Sequence, residues 1–280
     1  MTDNFEDVTR RFLSSISSPA ELDIAAFLAA TSSVSISASE RIRRLAIVVE
    51  EDHLTGNAET DWRLLSDLYD AAGALAPDDP RVLHSRGIAA FELALTVESE
   101  PIGQALFALA ESTFRELVRV EPASADGMYG LGRVVYDRDK DPSAALDWFA
   151  EALKCPNHDC MAVLYTGHCL QDLKDWPRAL AAYERVDRTE LATNWPVWRT
   201  TKLREQTALC RLRVGDRERA LAELTELLAE LEAKDDAALL EAAPNCNELL
   251  EAATIELREQ LFDRATALAQ RFGPPSSELA

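Results

Sequence analysis

Apolar residues recur at intervals of three and four along almost the whole chain of 280 residues, and runs of strict alternation are scarce. Because an α helix has 3.6 residues per turn, this pattern puts apolar side chains on one helix face and predicts an all-α fold. The predicted helices span 4–15, 19–30, 39–54, 59–76, 80–98, 101–120, 125–138, 142–154, 159–173, 176–187, 195–214, 216–233 and 245–272.

Turn signals separate these helices. Asp141-Pro142 and Asp175-Trp176-Pro177 each combine a capping side chain with a proline in the first turn of the next helix. The stretch PDDP at 77–80 separates two further helices in the same way.

Small and aromatic residues repeat in one register across successive helices. From Gly167, Ala179 follows after twelve residues and Tyr183 after four more. From Gly132, Ala145 follows after thirteen and Phe149 after four more. Parts of the register recur at Gly87, at Ala110 with Phe114, at Leu65 with Tyr69, and at Ala208 with Ala220.

This register resembles the tetratricopeptide repeat, a helix–turn–helix unit of 34 residues. The resemblance is best over 125–187, good over 80–122 and 201–228, and faint over 39–77. It implies a right-handed superhelical solenoid of helix pairs, with non-repeat helical caps. We expect capping helices over 1–38, the repeats over 39–233, further caps over 234–272 and a loose tail over 273–280.

Two stretches depart from the repeat. Gly87 and Ala110 are 23 residues apart where about twelve would be regular, which predicts longer helices meeting near Pro101. The segment DRTELATNWPVW prolongs another connection and predicts an irregular stack there.

The spacing has a packing explanation. Two helices approach to about 8–10 Å only where facing side chains are small or interlock. A glycine inside a helix costs about 1 kcal/mol relative to alanine, so glycines at matching places indicate close packing. An ordinary helical bundle with incidental glycines is the alternative. The residues expected to pack the repeats are Gly87, Ala110, Phe114, Gly132, Ala145, Phe149, Gly167, Ala179, Tyr183 and Ala220.

In tetratricopeptide proteins the first helices of the pairs line a groove that holds a peptide. The positions that the register carries over are Arg81, His84, Ile88, Phe91, Tyr129, Arg133, Tyr136, Leu164, His168, Gln171, Lys202, Glu205 and Leu209. Aromatic and arginine side chains are common interface anchors, although the tyrosines could equally pack against a neighbouring helix pair.

One known groove chemistry is not expected. Members that bind chaperone tails clamp a terminal carboxylate with Lys and Asn side chains. Tyr129, Arg133 and Tyr165 stand at those positions instead, and only Lys202 matches. A mixed apolar and polar segment is therefore the expected ligand.

Cysteines and histidines cluster between 155 and 169 and raise the question of a metal site. His168 lies about 12 Å along a predicted helix from Cys160, too far to share one ion. Only Cys155, His158 and Cys160 could converge, in a spacing unlike common zinc sites. We expect ordinary buried thiols and no metal or cofactor.

The two tryptophans beside Pro196 allow two interpretations. Trp195 and Trp198 flank Pro196 at the start of a helix, where they either pack a junction or form an exposed binding wedge. Phosphate-loop, serine-hydrolase, zinc-protease and dinucleotide motifs are missing, so no catalytic residue is expected.

The net charge of −20 is unevenly distributed: it is −9 over 1–80, −2 over 81–215 and −9 over 216–280. The sequence contains no basic stripe of the kind that binds nucleic acids, so nucleic-acid binding is not expected. The acidic ends either aid solubility or attract a basic partner. The five cysteines form no even framework and the start of the sequence is acidic, so we expect a cytoplasmic protein. No apolar run is long enough to span a bilayer, so we expect no membrane insertion.

The sequence therefore predicts a non-catalytic adaptor or scaffold that binds a protein or peptide. Self-assembly of this chain is one alternative. An enzyme, or a regulatory subunit of an enzyme, is the alternative from another class.

Overall fold

The computed structural model describes residues 5–16, 22–52, 57–235, 238 and 259–271. Over these residues the regular secondary structure is helical throughout, which confirms the all-α prediction. The predicted tail at 273–280, the predicted helix start over 245–258 and residues 19–21 lie outside the described residues.

The chain divides into two compact units. The first unit comprises Met1–Asp141 with Lys154–Asn157, and the second comprises Pro142–Leu153 with His158–Ala280. The boundary follows the turn that ends in Asp141.

The first unit contains seven described α helices followed by a π-helical turn. They are α1 (Phe5–Leu13), α2 (Ile24–Ala30), α3 (Ala38–Asp52), α4 (Ala58–Leu75), α5 (Pro80–Thr96), α6 (Glu100–Val120), α7 (Ala125–Val134) and the turn Val135–Asp139. From α3 to α7 each helix packs against the next one along the chain. The long α5 and α6 absorb the extra residues between Gly87 and Ala110, and Pro101 stands in the first turn of α6.

The second unit contains α8 (Pro142–Ala152), α9 (Cys160–Asp172), α10 (Trp176–Glu184), α11 (Arg188–Asn194), α12 (Val197–Arg213), α13 (Arg217–Glu232) and α14 (Glu259–Arg271). Here α9 packs against α8 and α10, while α12 packs against α10, α11 and α13. The core of this unit includes Leu224, Leu228 and Leu268, all nearly inaccessible to solvent.

The connection predicted to be irregular contains a helix that the apolar spacing does not reveal. Asp187 accepts hydrogen bonds from the backbone N–H groups of Thr189 and Glu190, both at 2.9 Å, and so starts α11. A capping aspartate of this kind satisfies backbone donors that the first turn leaves unpaired. Leu191 is the buried residue of this short helix.

Aromatic rings occupy the space that glycines leave open. In the first unit, a Cβ atom added to Gly87 would lie 2.5 Å from the Phe114 ring, and one added to Gly130 would lie 2.6 Å from it. Phe114 is fully buried between them. The glycine of α7 that contacts this ring is therefore Gly130, while Gly132, singled out by the register, is also buried.

In the second unit the corresponding ring is Tyr183 of α10. A Cβ atom on Gly167 of α9 would lie 2.5 Å from Tyr183 Cδ1, closer than such carbons approach in proteins. Ala179, one turn before Tyr183, is fully buried. The two helices thus meet at a small residue on one side and a ring on the other, as ridges-into-grooves packing requires.

The remaining alanines and phenylalanine of the register are fully buried as well. They are Ala110, Ala145, Phe149 and Ala220. The Phe149 ring lies 5.8 Å from that of Tyr165, so it packs between α8 and α9.

Candidate functional site

The candidate site consists of side chains on the first helices of the predicted pairs, and each unit has its own set. In the first unit these helices are α5 and α7; in the second they are α9 and α12.

Arg133 forms the centre of a cluster in the first unit, which we call the Arg133 cluster. Its guanidinium carbon lies 4.5 Å from the centre of the Phe91 ring. Its nitrogens donate hydrogen bonds to Asp137 Oδ2 at 3.0 Å and to the Tyr129 hydroxyl at 3.2 Å. Arg133 is therefore neutralised and held in place within its own unit, and it differs from the exposed anchor that the sequence predicts.

Burial also changes the expected roles of three groove residues. Phe91, Leu164 and Tyr129 are each buried, with 1%, 2% and 8% of their surface exposed. The register correctly places them on first helices, but neighbouring helices cover their side chains. They support the surface from beneath and offer a partner almost no contact area.

Tyr136, the third residue of the predicted row, lies in the π-helical turn and not in α7. Residues i, i+4 and i+7 share a face only in α geometry, and α7 ends at Val134. Tyr136 lies in the following turn, where the helix widens to i→i+5 hydrogen bonding. The turn ends at Lys140, whose φ of 52° is left-handed.

Arg81 and His84 line a small cleft at the start of α5. The cleft has a volume of about 200 Å³, and Arg43, Leu117 and Asp126 also line it. Arg81 is 61% exposed, and it pairs with Asp79 at 3.1 Å and with Glu40 at 3.7 Å. This cleft therefore carries charges of both signs.

Glu40 is the carboxylate around which these arginines gather. Hydrogen bonds from Arg43 lower the pKa of Glu40 to about 2, against the opposing effect of burial and with help from Arg44. The Arg43 contact is bidentate, at 2.9 and 3.1 Å. Glu40 therefore stays ionised and fixes the cationic wall of the cleft.

His168 and Gln171 of the second unit are joined through Tyr183, and we call this set, with Cys210, the His168 network. The Tyr183 hydroxyl donates to Gln171 Oε1 at 3.0 Å and lies 2.9 Å from His168 Nδ1. The hydroxyl has a single proton, so when it donates to Gln171 it accepts from the Nδ1–H tautomer of His168. The Cys210 thiol donates to the same Gln171 oxygen at 3.6 Å.

The buried Tyr183 and Cys210 side chains hold His168 and Gln171, which are both partly exposed. Burial raises the pKa of the Cys210 thiol to about 12, so this thiol stays protonated. The His168 ring also packs edge-on against Tyr165, 5.0 Å away. Among the predicted groove residues, His168 and Gln171 thus combine partial exposure with a fixed orientation.

Basic residues on α12 form ion pairs with α10 and α13. Arg204 contacts Glu223 and Glu230, both at 2.7 Å, and Arg211 contacts Glu184 at 3.1 Å. Lys202, predicted to line the groove, is 19% exposed and lies 4.0 Å from Glu205, which is buried. Leu209 is buried too.

The cysteines between 155 and 169 are buried. Cys155 contacts Met128 Sδ at 3.8 Å. Burial raises the pKa of Cys160 to about 12, and the nearby Glu190 adds to this shift. Throughout the described ranges, no three His, Cys, Asp or Glu side chains are grouped so that they could hold a metal ion.

No helix of the described part of the chain is long and apolar enough to cross a membrane. The sequence matches no protein-family model and no curated protein.

Several solved structures are similar to this one. PilW, a widely conserved type IV pilus biogenesis factor, is 19% identical, with 88% of this chain and 98% of PilW covered and a TM-score of 0.59. Human IFIT1, solved as a dimer with PPP-AAAA, is 13% identical over 84% of this chain and 49% of IFIT1, with a TM-score of 0.54. TTC0263, a tetratricopeptide protein of Thermus thermophilus, is 20% identical over 78% of this chain and 99% of that protein, with a TM-score of 0.49.

The predicted resemblance to tetratricopeptide proteins is thereby confirmed at the level of the fold.

Proposed function

We propose that this chain is a non-catalytic adaptor that binds a protein or peptide segment on the exposed faces of its first helices. The observation that carries the proposal is the His168 network, in which the buried Tyr183 hydroxyl orients His168 and Gln171. Polar side chains that are already oriented lose less conformational entropy when they bind, and this favours recognition.

The ligand that suits this surface is a segment of mixed polar and apolar character. His168 and Gln171 supply donors and acceptors, and the imidazole ring of His168, held edge-on against the buried Tyr165 ring, supplies apolar contact. Backbone amides of an extended segment, or polar side chains of a helical one, are matching partners for such side chains.

The test is a crosslinking pulldown from a lysate of the source organism. The bait is either the wild-type chain or the double variant His168→Ala, Gln171→Ala. We expect the double variant to lose a partner that wild type captures, because both oriented groups are removed. Arg178→Ala, which removes an exposed side chain of α10, is the matched control and should retain the partner.

Circular dichroism of the double variant must remain helical for the comparison to count. Equal capture by wild type and double variant would remove this surface from the proposal. Turnover of any substrate by the purified chain would contradict the non-catalytic part.

Self-assembly is the second candidate, and exposed apolar side chains favour it. Leu95 and Ile102, on either side of the α5–α6 connection, are 46% and 48% exposed. Light scattering at two concentrations tests this candidate, and a constant monomer mass would rule it out.

A further inference from the structure

We propose that Arg199, whose guanidinium group lies over the rings of Trp195 and Trp198, receives a carboxylate side chain from an acidic segment of the partner. This inference deepens the proposed function and rests on it, since it names the chemistry of the partner. It concerns the N-terminal end of α12.

The guanidinium carbon of Arg199 lies 5.2 Å from the Trp195 ring centre and 4.6 Å from that of Trp198. Two indole faces therefore fix the orientation of a planar cation, which is the arrangement in which arginine loses least entropy on binding a carboxylate.

The charges of α12 also favour an acidic ligand at Arg199. This helix carries five basic residues and one acidic residue in a chain of net charge −20. Arg204 and Arg211 pair with glutamates of α10 and α13, and Lys202 lies beside Glu205. Arg199 differs from these three, because no carboxylate of the described chain lies within 4.0 Å of it.

Arg199 lies at the end of α12 where the helix dipole also favours a bound anion. It is the third residue of α12, and the first turn of this helix contains no acidic residue. The N-terminal end of a helix is the positive end of its dipole, where a cation is unfavourable and an anion is favourable. A bound carboxylate would therefore offset both the charge of Arg199 and the dipole.

The accessible atoms define how the carboxylate approaches. Arg199 Nε is buried and has no hydrogen-bond partner, so the two terminal nitrogens are the groups that a partner can reach. They match the two oxygens of a carboxylate in an end-on pair. Val197, 52% exposed beside the two indoles, supplies apolar contact to the residue next to the acidic one.

The probe is a fluorescein-labelled peptide, acetyl-(Leu-Glu-Glu-Ala) repeated three times with an amidated C-terminus. Its partner peptide has Gln in place of every Glu. We expect the Glu peptide to bind wild type and the Gln peptide to bind at least tenfold more weakly. Binding of the Glu peptide should weaken with added salt, because an exposed ion pair is screened.

Arg199→Gln should lower the affinity for the Glu peptide at least tenfold. Arg199→Lys, which keeps the charge but loses the planar fork, should lower it severalfold. Arg185→Gln, which removes the exposed arginine that follows the last residue of α10, is the matched control and should stay within twofold of wild type.

A second measurement on the wild-type chain avoids dependence on how the variants fold. The Nε–Hε resonance of Arg199 should shift on addition of the Glu peptide and stay in place with the Gln peptide. Equal binding of the two peptides, or an unmoved resonance, overturns the inference. If the peptides fail this test but the pulldown still captures a partner that depends on His168 and Gln171, the proposed function stands. Only the inference that the partner is acidic is then wrong.

Discussion

Replacing Gly167 with alanine tests the packing between α9 and α10 directly. The added methyl group would lie 2.5 Å from Tyr183 Cδ1 and closer still to Cε1. The ring is fully buried, and its hydroxyl is held by His168 and Gln171. Tyr183 therefore cannot rotate away from the methyl group without losing those hydrogen bonds.

The expected magnitude follows from three contributions to the free energy of unfolding. Alanine stabilises a helix interior by about 1 kcal/mol relative to glycine. Forcing an extra carbon into a filled core costs about 1–3 kcal/mol. Displacing the ring weakens two hydrogen bonds worth about 1 kcal/mol each. We expect Gly167→Ala to lower the stability of the second unit by about 2 kcal/mol.

The assay is urea unfolding followed by far-ultraviolet circular dichroism. Gly73→Ala is the matched control, since its methyl group would meet Arg86 Cδ at an ordinary 3.6 Å, and it should stabilise by about 0.5–1 kcal/mol. In a Tyr183→Leu background, Gly167→Ala should cost much less, because the ring is gone. A Gly167→Ala chain as stable as wild type would refute the packing argument.

Two further predictions concern Glu40 and Lys174. Because the folded pKa of Glu40 is about 2 and its ordinary value is 4.5, ionised Glu40 stabilises the fold above about pH 4.5, and this stabilisation is lost as the pH falls towards 2. Wild type should lose about 1–3 kcal/mol more than Glu40→Gln over that range, and equal acid unfolding curves would contradict the arginine contacts. Lys174 has a φ of 60°, so Lys174→Gly should raise the melting temperature by relieving roughly 1 kcal/mol of left-handed strain. Lys174→Ala should not, and equal melting temperatures for the two variants would argue against strain.

The helices and their close contacts could be predicted because spacing alone determines them. Gly167 and Tyr183 lie in register, and their contact requires only that two consecutive helices pack. Gly130 was missed because its importance comes from Phe114 on the preceding helix, and the register selected Gly132 instead. α11 was missed because a seven-residue helix with one buried leucine shows no apolar period.

The candidate site was less predictable than the fold. Register assigns a residue to a helix face but does not say how deeply neighbouring helices cover it, so Phe91 and Leu164 were expected on the surface and are buried. The pairing of Arg133 with Asp137 follows from i,i+4 spacing and could have been found. The link from Cys210 to Gln171 joins α12 to α9, and no local pattern reveals it.

Tyr183 ties the architecture of the second unit to its surface chemistry. Its ring fills the gap at Gly167, while its hydroxyl sets the directions in which His168 and Gln171 point. A change at this one position would alter fold stability and ligand preference together. Substitutions at positions 168 and 171 would change the surface and leave the packing of the Tyr183 ring intact. Such substitutions are therefore an easier route to a new binding specificity than replacement of Tyr183 itself.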